Sequence, residues 1–184
     1  MKEFGRKTIH IIGGLVILLV LSLIGREFFI FLSLHLLFIG LVSIQFEMDK
    51  FQVPVFSTIF RLFERKEVVP GKGAIWYAIS VIIAIVFFQS PLTELIIICL
   101  TIGDGFATLI GRIGNFRNPI NKKKTIEGSL WFAASSMLAL CFFNIMTLFA
   151  FLFIITASIV EALEHYIDDN LRIALLGFFF ALVF

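Results

Sequence analysis

Long apolar runs separated by short polar stretches make up almost the whole chain. A helix needs about 17–25 mostly apolar residues to cross the hydrocarbon core of a bilayer. The runs at 8–25, 27–46, 73–90, 91–112, 127–145, 147–164 and 171–184 meet or approach that length. The last is the shortest, so the pattern predicts seven membrane-spanning helices, or six with a final interfacial one. Gly25-Arg26-Glu27 offers no small-x-small cleavage site and the next apolar run follows directly, so the first run reads as a retained helix rather than a secretory signal.

The segment 51–66 differs in kind. Phe56, Ile59, Phe60 and Phe63 recur at helical spacing while Arg61, Glu64 and Arg65 take the opposite side. This pattern predicts an amphipathic helix lying along the membrane surface, most simply a connector.

Composition sharpens the picture. The chain has 184 residues, 60% of them hydrophobic and 15% charged, with a mean hydropathy of +1.05. Soluble domains are about 45–50% apolar and about 25% charged, so a water-soluble monomer is excluded. The fold class is therefore all-α, a polytopic membrane protein, with residues 1–184 forming one domain. Cys99 and Cys141 both lie inside apolar runs and imply neither a disulfide nor a zinc site. A formal net charge of +2 gives no reason to expect a nucleic-acid partner.

The positions of the charges say more than their sum. With seven spans, Arg26 alone of the 15 Lys and Arg residues falls on one side of the membrane. Cytoplasmic loops carry the excess of Lys and Arg, so the N-terminus is expected in the cytoplasm.

Charged residues within or beside spans are costly unless they pair or serve a site. Asp104 is the deepest, and on a helix it shares a face with Thr108 and Gly111. Gly103, Gly105 and Gly111 clear side chains from around it, which lets a ligand or a second backbone approach. The run Asn121-Lys122-Lys123-Lys124-Thr125-Ile126-Glu127-Gly128-Ser129 stands where a helix is expected to start. Lysines combined with helix-start amides make a polyanion receptor. Opposite a carboxylate suited to Mg²⁺, the fitting ligand is a nucleoside triphosphate.

A third cluster holds Glu161, Glu164, His165, Asp168, Asp169 and Asn170. On a continuous helix Glu161, Glu164 and Asp168 would form one acidic stripe, an oxygen-rich set that favours Mg²⁺. At the N-terminus Arg6 and His10 share a helix face beside Lys7. His35, alone in the second run, reads as a hydrogen-bonded packing residue. Pro70-Gly71-Lys72-Gly73 lacks the spacing of a P-loop and reads as a hinge with one basic residue. Together these are the parts for phosphoryl or nucleotidyl transfer, where positioning and charge neutralisation do most of the catalysis.

The residues also resemble a known family. Gly103-Asp104-Gly105-x-Ala107 with Gly111-Arg112, followed by Lys123-Lys124-Thr125-Ile126-Glu127-Gly128-Ser129, is similar to the polytopic CTP-using membrane enzymes. These are the polyprenol kinases (dolichol kinase, phytol kinase, CTP-dependent diacylglycerol kinase) and, more distantly, phosphatidate cytidylyltransferase. Arg6-Lys7-x-x-His10, Pro70-Gly71-Lys72-Gly73-Ala74 and Asp168-Asp169-Asn170-Leu171 carry the likeness toward the kinase branch. Asn121-Lys122 stands where cytidylyltransferases usually have Ser-Pro, and Thr108 where they tend to have Tyr.

The resemblance implies a CTP-dependent kinase acting at the cytoplasmic face on a membrane isoprenoid alcohol or diacylglycerol. Asp104 would hold Mg²⁺, with Glu161 as a second acidic ligand. Lys122, Lys123, Lys124 and Arg112 would neutralise the triphosphate. Arg6, Lys7, His10, Lys72, Gly103, Gly105, Gly111, Thr125, Gly128, Ser129 and Asn170 would complete the nucleotide site. The general base would be Asp168, Asp169 or Glu127. The host membrane would be the cell membrane of a prokaryote, or the endoplasmic reticulum or plastid membrane of a eukaryote. The alternatives are a cytidylyltransferase and, from a different class, a small transporter, which predicts polar residues spread through the membrane depth.

Overall fold

Within a bilayer every backbone polar group must find its partner inside the protein, and this chain answers with helices. The computed structural model describes residues 2–49 and 71–183. Seven helices run through them: α1 (Lys2–Ile24), α2 (Arg26–Met48), α3 (Lys72–Phe87), α4 (Leu92–Gly111), α5 (Ile126–Phe142), α6 (Leu148–Ala162) and α7 (Asp169–Val183). Among the described residues the one β feature is an isolated bridge between Arg117 and Thr125. The amphipathic helix expected over 51–66 lies outside the described residues, as does Pro70.

Each apolar run has become one helix. Among the described residues, three helices are long and apolar enough to cross a membrane: α1 over Phe4–Ile24, α2 and α4. The apolar helices α3, α5 and α6 are shorter. Gly25 separates α1 from α2 with a φ of 77°, a left-handed conformation that glycine adopts at little cost.

α4 is the central element and packs against α1, α3, α5, α6 and α7. Of its most apolar stretch 61% is buried inside the protein, against 17% for α1 and for α2, which leaves the apolar surfaces of those two largely uncovered. The core is built from Leu95, Ile96, Ile97, Ile98 and Leu100 of α4. It is closed by Ile85, Phe132, Leu140, Phe153, Ile154 and Ile173 from the surrounding helices. In lipid, helices associate chiefly by close packing, and small residues at the contact allow it. A Cβ on Gly128 of α5 would stand 2.9 Å from the Ala107 carbonyl oxygen and 3.2 Å from Gly111 Cα. Thus α4 and α5 meet backbone to backbone at the end where the charged residues lie.

Within α4 the residues Cys99–Gly103 form a π-helical segment. The Asp104 N–H reaches back to the Cys99 carbonyl, five residues earlier. The hydropathy pattern carries no trace of this register change. π-turns inside α-helices frequently mark functional sites, and Asp104 is the residue that follows this one.

Candidate active site

The charged ends of α1, α4, α5, α6 and α7 surround one cavity of about 890 Å³. It brings together residues far apart in sequence: Arg6, Lys7 and His10; Asp104, Thr108, Gly111 and Arg112; Lys123, Lys124 and Thr125; and Glu161, Asp168, Asp169 and Asn170. Gly128 and Ser129, at the start of α5, also line it.

Asp104 sits at its inner wall. The π segment shifts the helix register just before Asp104 and places it opposite α1. An unpaired carboxylate there would be costly to bury, and Lys7 of α1 forms an ion pair with its Oδ2. His10 Nε2 lies 3.4 Å from the same oxygen and donates a 2.8 Å hydrogen bond to the Leu100 carbonyl. The α1–α4 contact is close because Gly105 leaves room for Ile11, and Gly14 leaves room for Thr101. The Tyr77 ring packs 4.3 Å from that of His10, and its hydroxyl lies 3.0 Å from Thr101 Oγ1.

The lysine run is shaped by the loop that carries it. Asn118 Oδ1 accepts from the Ile120 and Asn121 amides at 2.8 and 3.3 Å, and Asn121 Oδ1 accepts from the Lys123 amide at 3.1 Å. Thr125 is the N-cap of α5, its Oγ1 accepting from the Gly128 amide at 3.2 Å. The same hydroxyl donates to the Gly111 carbonyl at 3.1 Å, fastening the start of α5 to the end of α4. The three lysines diverge. Lys124 turns inward to Glu161 Oε1 at 2.6 Å and Asp169 Oδ2 at 2.5 Å. Lys123 pairs with Glu164 at 2.7 Å on the exposed rim. Lys122 is exposed and does not line the cavity.

The acidic cluster is arranged otherwise than its spacing suggests. α6 ends at Ala162 and Leu163 is extended, with a ψ of 149°. Glu161, Glu164 and Asp168 therefore share no helical stripe. Glu161 is buried, Glu164 faces the rim, and Asp168 precedes α7, its backbone carbonyl accepting from the Arg172 amide at 3.1 Å. Asp168 Oδ1 accepts from the Asn170 amide and from Asn170 Nδ2, at 3.0 and 3.1 Å. Asp169 is held by Lys124 and by Arg172.

Burial works against the Lys124 charge, but Glu161 and Asp169 outweigh it and hold its pKa above the ordinary lysine value. Burial pushes the Asp168 carboxyl upward; its bonds from Asn170 oppose this, while the charges of Asp169 and Asp104 add to it. Asn170 Oδ1 is buried without a hydrogen-bond partner, an acceptor at the cavity wall that a donor or cation would satisfy.

Several residues singled out from sequence sit elsewhere. Glu127 does not line the cavity; its carboxylate clamps the preceding loop, accepting from the Asn115 and Phe116 amides at 2.7 and 3.0 Å. Lys72 is exposed at the start of α3 and also outside the lining. Gly103 and Gly105 serve helix contact, against Phe132 with Ser136 and against Ile11 respectively. His35 bonds the Phe31 carbonyl at 2.7 Å on the exposed side of α2. Conversely, sequence reasoning missed Arg117 and Tyr77, both in the cavity wall. Arg117 carries no sequence signal beyond its place in a basic stretch, whereas Tyr77, one of two tyrosines in a Phe-rich chain, offers one. Among the described residues no three His, Cys, Asp or Glu side chains stand together as a complete metal cage. Mg²⁺ needs no such cage, because it uses one or two carboxylates, waters and substrate phosphates.

No protein-family model and no solved structure matches the chain. Curated relatives do. An uncharacterised protein of Methanocaldococcus jannaschii is 28% identical over 94% of this chain and 86% of its own length. The chloroplastic farnesol kinase of Arabidopsis thaliana is 31% identical over 92% of this chain. A probable chloroplastic phytol kinase of Oryza sativa is 28% identical over 96% of it. The chain spans 62% and 64% of the length of these two plant proteins. Over nearly its whole length, then, the chain is similar to plant proteins named as farnesol and phytol kinases.

Proposed function

We propose that this protein phosphorylates a membrane-dissolved isoprenoid alcohol, with CTP as the phosphoryl donor. One observation carries the reading. Cations from α1 and the α4–α5 loop and carboxylates from α4, α6 and α7 converge on a single cavity, in a chain related to isoprenoid-alcohol kinases. Phosphoryl transfer needs this combination of charge neutralisation and positioning.

All seven helices are taken to cross the membrane, with the N-terminus and the cavity at the cytoplasmic face. A helix of 15 residues, as in α6 and α7, reaches about 23 Å at 1.5 Å per residue. That is less than the about 30 Å hydrocarbon core.

Arg6, Lys7, Arg112 and Lys123 with Lys124 face the triphosphate and offset its charge. Lys122, on the exposed loop, contributes to attracting it. Asp104 and Glu161 fit a Mg²⁺ ion, since both carboxylates face the cavity and their present partners, Lys7 and Lys124, are cations that a bound metal nucleotide can displace. When bound, the ion neutralises charge on the phosphate oxygens. Asp168 is the general base for the acceptor hydroxyl. Among the three carboxylates considered, Glu127 is tied to the loop amides and Asp169 to two cations, whereas the Asp168 carboxylate is bonded by the neutral Asn170 and burial raises its pKa above the ordinary aspartate value.

The test is a label-position assay in liposomes containing Mg²⁺. CTP labelled at the γ- or the α-phosphate is supplied with farnesol, geranylgeraniol, phytol, diacylglycerol or phosphatidate, offered separately. Label from the γ-position on an isoprenoid alcohol is the expected result. Label from the α-position on phosphatidate would overturn the reading in favour of a cytidylyltransferase, and ATP serving better than CTP would overturn the choice of donor.

A further inference from the structure

Glycines in this protein fall into two groups. Gly14, Gly103, Gly105, Gly111 and Gly128 stand where a Cβ would press on a neighbouring helix, so packing accounts for them. Gly13 does not: it is half-buried in the middle of α1, a Cβ there would meet nothing within 4 Å, and its φ is not positive. Neither packing nor backbone conformation calls for glycine, and a mid-helix glycine is destabilising relative to alanine. Yet Gly13 lines the cavity. Gly73 of α3 shares both properties, open space at its Cβ and a place in the wall.

The wall changes character along α1. Arg6, His10, Gly13 and Ile17 follow one helical stripe, with Ile9 beside it, and all five line the cavity. At 1.5 Å per residue the stripe runs about 16 Å, and Gly13 lies about 4–5 Å beyond His10 on its apolar side. From α3, Gly73, Ala74 and Tyr77 line the same cavity, with the Tyr77 ring against that of His10. The Tyr77 hydroxyl is already engaged by Thr101, so this arm offers a nucleotide base little to recognise. An apolar chain is the occupant such a surface accepts, and the charged end of the same cavity holds the site its hydroxyl must reach.

We propose that Gly13 is a specificity-determining position, its missing side chain leaving the channel between α1 and α3 in which the isoprenoid tail of the acceptor lies. The inference rests on the isoprenoid-alcohol reading and deepens it. Beyond the first isoprene units the tail passes Ile17 and the exposed Gly73 and Ala74 toward lipid. A larger residue at 13 obstructs the tail about one helical turn from the nucleotide site.

The experiment compares the wild type, Gly13→Ala, Gly13→Leu and Gly40→Leu in liposomes, with geraniol, farnesol and geranylgeraniol as acceptors. Gly40 of α2 also has open space around it but does not line the cavity. Gly13→Leu is expected to lower kcat/KM for farnesol and geranylgeraniol by at least about tenfold, the scale of an overpacking clash, and that for geraniol much less. The KM for CTP should stay within about twofold and Gly13→Ala should be intermediate. Equal loss for all three acceptors, or the same profile in Gly40→Leu, would overturn the inference while leaving the kinase reading intact. A photoreactive farnesyl analogue gives a readout independent of turnover. Crosslinks to α1 and α3 that Gly13→Leu abolishes support the channel even if no alcohol is phosphorylated, which would sink the kinase reading alone. Crosslinks unchanged by Gly13→Leu, or falling on α2 instead, overturn the channel.

Discussion

Removing the Lys7 side chain tests whether Asp104 depends on α1 for its charge balance. The pair is well enclosed, with side-chain exposures of 11% for Lys7 and 13% for Asp104. Breaking a buried pair by deleting one partner costs about 3–5 kcal/mol, because the remaining charge is left uncompensated. Here His10 Nε2 remains 3.4 Å from the same carboxylate oxygen as a polar neighbour, so the lower end of that range is expected. For a chain of this size about 3 kcal/mol corresponds to a fall in Tm of about 6–12 °C. Lys7→Met is therefore expected to lose that much in detergent or liposomes without ligand. Lys7→Met with Asp104→Asn should recover most of it, since replacing both members of a buried pair is often close to neutral. Activity cannot distinguish these cases, because both variants damage the proposed site, whereas the thermal double-mutant cycle can. If the two substitutions were additive in Tm, the ion pair would not be what holds Asp104 in place and the reasoning would fail.

Three further outcomes follow from the same geometry. Lys124→Met should leave Glu161 and Asp169 facing each other without their shared cation, lowering Tm and raising the KM for CTP more than that for the alcohol; the reverse ratio in steady-state kinetics would argue for a role at the lipid. Thr125→Val removes the α5 cap and its bond to the Gly111 carbonyl, and should cost about 1–2 kcal/mol in a chemical denaturation series, with Thr125→Ser restoring most of it. Asp168 must be ionised to accept a proton and its pKa is raised, so the acid limb of the kcat profile should fall at a pH above the ordinary aspartate value of about 3.9. An acid limb at or below that value in the pH–rate profile would remove Asp168 as the base.

Much of this architecture was legible because charge is scarce in the chain. With 15% charged residues, each polar cluster in an apolar background stands out, and four such clusters did converge on one cavity. The helices were equally legible, since each long apolar run could satisfy its backbone only by coiling. What hydropathy could not disclose was register and direction. The π segment before Asp104 preserves the apolar run while rotating everything after it, so a period-based reading passes over it. The end of α6 at Ala162 was hidden for a related reason: Leu163-Glu164-His165 contains neither Pro nor Gly, and nothing local announces that the acidic stripe will break. Glu127 shows the opposite error. An acid in the first turn of a helix beside a lysine run suggests chemistry, but its partners are two loop amides that sequence could not have placed. Local spacing thus identified which residue types mattered, while their division into cavity wall and loop clamp was decided by where two helices end. That division also makes the charged wall separable from its scaffold. Thr125, Glu127 and the facing Gly111 and Gly128 set the position of Lys124 without needing to touch a ligand. Substitutions there should disturb the site through the geometry of α4 against α5 rather than through lost charge.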